Sequence, residues 1–306
     1  MKLSKKLIIC GLLLLIGVLL YYSIYKEGLQ NGNHEKIERV CFVIPIHPKH
    51  YHFIDPFLEK LDQRIDVFLI FSSEQDYNQL AEKSKQRIQP IIMPDNAPTG
   101  NIVTYKKWYA LKHVLMQQTK YDYFIVCDAE IDIVEENLTV DNVMQKVSNI
   151  FTNKMIYGSI CPNDDKVTEI VKISASMFDT NSIERLKKVT EDYTVYYWWS
   201  ELPVYKRDTL ADFFEKIGNI EDLNWYHFDH LVYLNYLILY HGFQLLNMSP
   251  LTGIQEPLET FDATLDQLAI LKEHLFGFGW MVKQVFHKHR DYLLDQGTFL
   301  LYHLDR

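Results

Sequence analysis

Between residues 40 and 127 the chain alternates short apolar runs with longer stretches of helical character, and few architectures accommodate that alternation. The runs are Val40-Cys41-Phe42-Val43-Ile44, closed by Pro45; Val67 to Phe71, closed by Ser72-Ser73; Ile91-Ile92-Met93, closed by Pro94; and Tyr123 to Cys127. Each is strand-length and unbroken by polar residues, the pattern of a strand buried on both faces. The segments between them (Tyr51 to Leu61, Tyr77 to Lys85, Ile102 to Gln118) read as helices. Strands alternating with helices predict an α/β domain with a mostly parallel, Rossmann-like sheet covered by helices. In such sheets ligands bind beyond the C-terminal ends of the strands, where the strand order reverses. Hydrophobic residues make up 48% of the 306, ample for one large core.

The chain begins Met-Lys-Leu-Ser-Lys-Lys and then runs apolar from Leu7 to Tyr25. That length predicts a single membrane-spanning helix, and bulky Tyr21 and Tyr22 stand where a signal-peptide cleavage site would need small residues. Lys2, Lys5 and Lys6 precede the span, so residues 1–6 are expected in the cytoplasm and everything after Lys26 across the membrane. Residues 26–38 are polar and without periodicity, which suits a short stem, and residues 39–306 read as one domain because no linker interrupts them. Residues 1–39 hold six Lys/Arg and three Glu, so the remainder stands near −12 against −9 for the whole chain. A surface that acidic argues against nucleic acid as a partner. Of the four cysteines, Cys10 falls in the span and Cys41, Cys127 and Cys161 in the domain, an odd number for a disulfide framework; Cys41 and Cys127, inside apolar strand-like runs, read as buried thiols.

The fourth apolar run delivers Asp128-Ala129-Glu130-Ile131-Asp132 to its C-terminal end. In extended geometry the three carboxylates would project from one face. Clustered carboxylates call for a cation, and hard oxygen donors suit Mn²⁺ or Mg²⁺. A solvated acidic turn would also explain them. Lys106 and Lys107, early in the third helix, carry point charges suited to a diphosphate, or else belong to a solvated helix face. Asp229 opens an apolar helical run from His230 to His241, where an acid is favoured by the helix dipole and can cap the backbone. Between these segments, Trp198, Trp199 and Tyr205 offer aromatic faces beside the carboxylate of Glu201, as in a sugar-binding platform. Adjacent Trp residues in a strand point oppositely, so one of the two at most would face a ligand.

A strand ending in an acidic D-x-D-like triplet after three β-α steps resembles the nucleotide-diphospho-sugar transferases of the GT-A fold, over roughly residues 40–245. The resemblance implies a metal site at Asp128 and Glu130 or Asp132, Glu standing for the second Asp of the family pattern. It implies donor contacts from Pro45, Ile46 and His47 at the end of the first strand and from Ser72, Ser73 and Glu74 at the end of the second, with Asp128 shared. It implies a catalytic carboxylate at Asp229, and the Asp229-to-Asn235 spacing is similar to the D-Q-x-x-x-x-N helix of some retaining members. Glu201 is the reserve base. His303 is a further metal candidate, since some members complete the metal shell with a C-terminal His; His287 and His289 read as surface residues.

The expected activity is transfer of a sugar from a nucleotide-diphosphate donor, UDP-linked above all, to a hydroxyl of a glycan, glycoprotein or glycolipid. The second half of the domain would hold the acceptor. Asp229 would deprotonate the acceptor in an inverting reaction, or steady the oxocarbenium-like sugar or form an adduct in a retaining one. A metal-dependent phosphoester or nucleotide hydrolase is the nearest alternative, and a membrane-tethered carbohydrate-binding protein the more distant one. A single-pass protein with its catalytic domain outside the cytoplasm, in the Golgi or ER of a eukaryote, completes the expectation.

Overall fold

The computed structural model describes residues 38–98, 100–133, 137–161, 164–197, 204–256, 264–274, 288–291 and 301–304. Apart from Glu38, these belong to the unit Arg39–Arg306. The expected tail, span and all of the stem but Glu38 therefore lie outside the described residues, as do Trp198, Trp199, Glu201, His287 and the side chain of His303. Among the described residues no helix is long and apolar enough to cross a membrane.

The strands are β1 (Val40–Pro45), β2 (Asp66–Phe71), β3 (Ile88–Ile92), β4 (Tyr123–Val126), β5 (Ile131–Ile133), β6 (Met155–Ile160), β7 (Val195–Tyr196), β8 (Val204–Lys206), β9 (Gln244–Asn247) and β10 (Leu301–His303). The main sheet has the order β3-β2-β1-β4-β8. β1 pairs in parallel with β2 and β4, β2 in parallel with β3, and β8 closes the edge antiparallel to β4. All six residues of β1 are buried, as its central place requires. β3 begins three residues earlier than its apolar run, and it carries Pro90 without cost because it lies at the sheet edge. β6 pairs antiparallel with β7 and parallel with β9, and β5 pairs antiparallel with β10.

From β1 the chain winds outward to β2 and β3, then crosses back to β4 on the other side of β1. The order thus reverses between β1 and β4, and a crevice opens beyond their C-terminal ends. Two helices flank it. The first, Ile102–Tyr109, is capped by Asn101, whose Oδ1 accepts from Thr104 N, and it continues into a π turn over Ala110–Leu115. The second, Asp229–Tyr240, is buried on nearly every face, so its apolar residues show no single stripe. Cys41, Cys127 and Cys161 are all buried.

Candidate functional site

A cleft of about 420 Å³ sits at the reversal point between β1 and β4. Its floor comes from Pro45, Ile46 and His47 after β1, Ser72 after β2, and Asp128 and Glu130 after β4. Lys106 and Lys107 reach it from the first flanking helix, Asp229 and His230 from the second.

The two neighbouring lysines are both buried, an expensive arrangement that only strong compensation supports. Lys107 Nζ donates to Asp128 Oδ1 at 2.9 Å and to Asp229 Oδ1 at 3.0 Å. Burial works against this charge, but the carboxylates of Asp128 and Asp229 outweigh it and hold the ammonium above the ordinary lysine range. His230 Nε2 stands 3.2 Å from Lys107 Nζ and 3.2 Å from Asp229 Oδ2. Among the described residues Asp229 Oδ2, a buried carboxylate oxygen in the wall of the cleft, has no hydrogen-bond donor.

Lys106 is 4% exposed and donates to the Ile46 carbonyl at 2.8 Å. Among the described residues no carboxylate stands within ion-pair distance of it. Burial pushes its pKa down to about 8, partly offset by the charge of Asp76. A buried ammonium without an acidic partner at the edge of a cleft is a seat for an anion.

Asp229 is the first residue of its helix, Phe228 is the cap position, and no side chain caps it. The carboxylate is instead turned to Lys107. Its backbone carbonyl accepts from Tyr205 Oη at 3.1 Å, and that hydroxyl accepts from Trp108 Nε1 at 3.1 Å. Tyr205 is therefore a buried strut between the two flanking helices, and the expectation that it faces an acceptor is corrected.

Asp132 is also corrected. The chain bends at Ala129 and Glu130, so the alternation of an extended strand is lost after Val126. Asp132 Oδ2 pairs with Lys60 Nζ at 2.6 Å and Oδ1 accepts from Ile133 N at 2.8 Å, away from the cleft. Ser73 caps the helix Glu74–Gln79, its Oγ accepting from Asp76 N, and Glu74 is an exposed first-turn residue of that helix; neither lines the cleft. His47 does line it, with Nδ1 accepting from Lys49 N at 3.3 Å.

Glu130 is held by His50 Nε2 at 2.8 Å, a contact that spacing alone does not suggest. Its backbone carbonyl accepts from Leu304 N at 2.9 Å, and β10 sets His303 opposite Ile131. Among the described residues no three His, Cys, Asp or Glu gather closely enough to cage a metal. Asp128 and Glu130 nonetheless share the cleft, and a Mg²⁺-like ion typically takes one or two carboxylates and completes its shell with phosphate oxygens and water. The donor atoms fit such an ion.

Sequence reasoning passed over Lys49, His50, Asn101 to Thr104, Trp225, Phe228 and His230, all of which line the cleft. Thr104 alone left a trace, standing three residues before Lys107 and so on the same helix face.

No protein-family model matches this sequence, and no curated protein sequence matches it. Among solved structures the chain is similar to core-mannan synthase A (CmsA/Ktr4) from Aspergillus fumigatus in its Mn/GDP form, at 11% identity over 69% of this chain and 67% of that one, with a TM-score of 0.35. It is similar to the apo structure of the bifunctional glycosyltransferase WbbM at 10% identity over 88% of this chain, with a TM-score of 0.42, and spans 46% of that protein's length. Mouse xyloside xylosyltransferase 1 is matched at 9% identity over 69% of this chain and 84% of that one, with a TM-score of 0.30.

Proposed function

We propose that this chain is a glycosyltransferase that moves a sugar from a nucleotide-diphosphate donor, UDP-linked first among the candidates, to a hydroxyl of a glycan, glycoprotein or glycolipid. The observation that carries the reading is the pair of unbalanced groups in the cleft. Among the described residues a buried ammonium, Lys106, has no acid within ion-pair distance, and a buried carboxylate, Asp229, has an oxygen with no hydrogen-bond donor. An anionic leaving group answers the first and an attacking hydroxyl answers the second, and the two are what glycosyl transfer from a diphosphate brings together.

In the reaction the acceptor oxygen bonds to the anomeric carbon as the bond from that carbon to the diphosphate breaks. Asp229 Oδ2 accepts the hydroxyl's hydrogen bond and then its proton. Lys107 anchors Asp229 through Oδ1, which leaves Oδ2 to meet the hydroxyl. Lys106 meets the departing diphosphate, with Pro45, Ile46, His47 and Ser72 along the donor's path. Asp128 and Glu130 would hold a Mn²⁺ or Mg²⁺ ion, which when bound supplies further neutralisation of the diphosphate. His303, beside Ile131 in the sheet, is the candidate third protein ligand. The lysine-flanked apolar run at the N-terminus would make the protein a type II membrane protein with this domain luminal or extracytoplasmic.

The test is nucleotide release from a panel of UDP- and GDP-sugars by the full chain, with Mn²⁺ or Mg²⁺, in the presence and absence of glycan acceptors. Acceptor-dependent release is expected, falling about 10²-fold in Asp229→Asn. Equal release without acceptor, unchanged in that variant, would mean a hydrolase.

A further inference from the structure

The cleft has an apolar wall that the charge chemistry leaves unused. Trp225 is 59% exposed, the most exposed of the large hydrophobic residues described, and it lines the cleft together with Phe228, Ile102 and Val103. An indole left this open forgoes stabilisation that burial would return, so its position calls for an occupant.

The loop bearing it is fastened rather than slack. Asn224 N donates to His227 Nδ1 at 3.0 Å and Tyr226 N to Asn224 Oδ1 at 2.9 Å, closing the loop on itself. Ser174 Oγ donates to the Tyr226 carbonyl at 3.0 Å. Asn101 Nδ2 and Thr104 Oγ1 donate to the His227 carbonyl at 3.0 and 3.1 Å. Gly100 lies so close beneath that a Cβ there would stand 2.3 Å from the Leu223 carbonyl oxygen. The Trp225 ring meets the Phe228 ring edge-on, with centroids 5.9 Å apart and planes at 76°. A rigid, exposed aromatic face is thus presented four residues ahead of Asp229.

We propose that Trp225 is the stacking platform for a sugar ring of the acceptor. This rests on the transferase reading of the cleft. A pyranose has an apolar C–H face and a rim of hydroxyls; the indole takes the face, and the donor-less Asp229 Oδ2 takes a hydroxyl. In that reading the nucleotide is met by Lys106 and the ends of β1 and β2, which line the same cleft. The acceptor is therefore a carbohydrate at the reacting hydroxyl, rather than a bare serine, threonine or lipid alcohol.

Saturation-transfer NMR on the full chain tests this, with methyl α- and β-glycosides of glucose, galactose, mannose and xylose as probes, and UDP and GDP in parallel. At least one glycoside should bind the wild type, its affinity falling about tenfold or more in Trp225→Ala and recovering in part in Trp225→Phe. Nucleotide affinity and melting temperature should be the same in all three proteins. Glycoside binding unchanged in Trp225→Ala, or absent from the wild type, would overturn the proposal, and a selective loss of UDP or GDP binding would make Trp225 a nucleobase platform instead. Trp225-dependent glycoside binding without any nucleotide binding would refute the transferase reading while leaving the sugar platform standing.

Discussion

Replacing Lys107 by Met removes one positive charge while keeping an unbranched side chain of similar length, so the cost reports on charge rather than on a cavity. In the wild type the ammonium satisfies Asp128 and Asp229 at 2.9 and 3.0 Å. Without it, Asp229, whose side chain is 6% exposed, is left with the His230 imidazole at 3.2 Å beside it in place of an ammonium, whereas Asp128 at 24% retains some water. Breaking a buried ion pair by removing one partner costs about 3–5 kcal/mol. For a domain of this size that lowers Tm by on the order of 10 °C. The companion variant Lys107→Met/Asp229→Asn removes the stranded charge as well and should regain most of the loss; with the single variant Asp229→Asn it completes a double-mutant cycle and gives a coupling energy. Urea denaturation of the four proteins is the assay. A single variant within about 1 kcal/mol of wild type, or a double variant no better than the single, would refute the claim that Lys107 is the internal counterion of the cleft.

Lys106 predicts a pH effect. Its folded pKa of about 8 means that UDP affinity should drop by about tenfold between pH 7 and 9 as the ammonium loses its proton. Because that value lies below the ordinary lysine value, the charged form is disfavoured on folding, so this residue's contribution to stability rises as pH climbs from about 8 toward about 10.4; Lys106→Met should flatten both profiles. Gly100→Ala forces its new methyl onto the Leu223 carbonyl and should cost about 1–3 kcal/mol in denaturant titrations; a neutral result would mean that the loop yields freely. In sealed vesicles the C-terminal domain should resist added protease until detergent is present, and digestion without detergent would reverse the orientation.

The β-α framework was legible because strands buried on both faces must be apolar at every position, a pattern visible without any knowledge of neighbours. The ends of those runs then mark the crevice, and Ile46, His47, Ser72, Asp128 and Glu130 line it. The errors share a cause. Asp132 and Tyr205 were assigned by extrapolating strand geometry or aromatic composition, and a bend at Ala129-Glu130 and a core position opposite Trp108 are properties of three-dimensional packing. The contacts of Lys107 with Asp229 and His230 and the fastening of the Trp225 loop to Asn101 and Thr104 join residues more than a hundred positions apart. Local periodicity carries no signal for either.

The 122 residues that separate Lys107 from Asp229 also bear on how the chain comes to be folded. As synthesis proceeds, β1 to β4 and the first flanking helix emerge well before the second. Until residues 204–206 arrive β4 lacks its antiparallel neighbour β8, and until the second helix follows Lys107 lacks half of its countercharge. The contacts that complete the cleft are thus of high contact order, and their loop-closure cost falls late. A nascent or truncated chain ending before residue 204 would expose an open sheet edge and a half-compensated ammonium, making it a substrate for chaperones rather than a smaller folded domain.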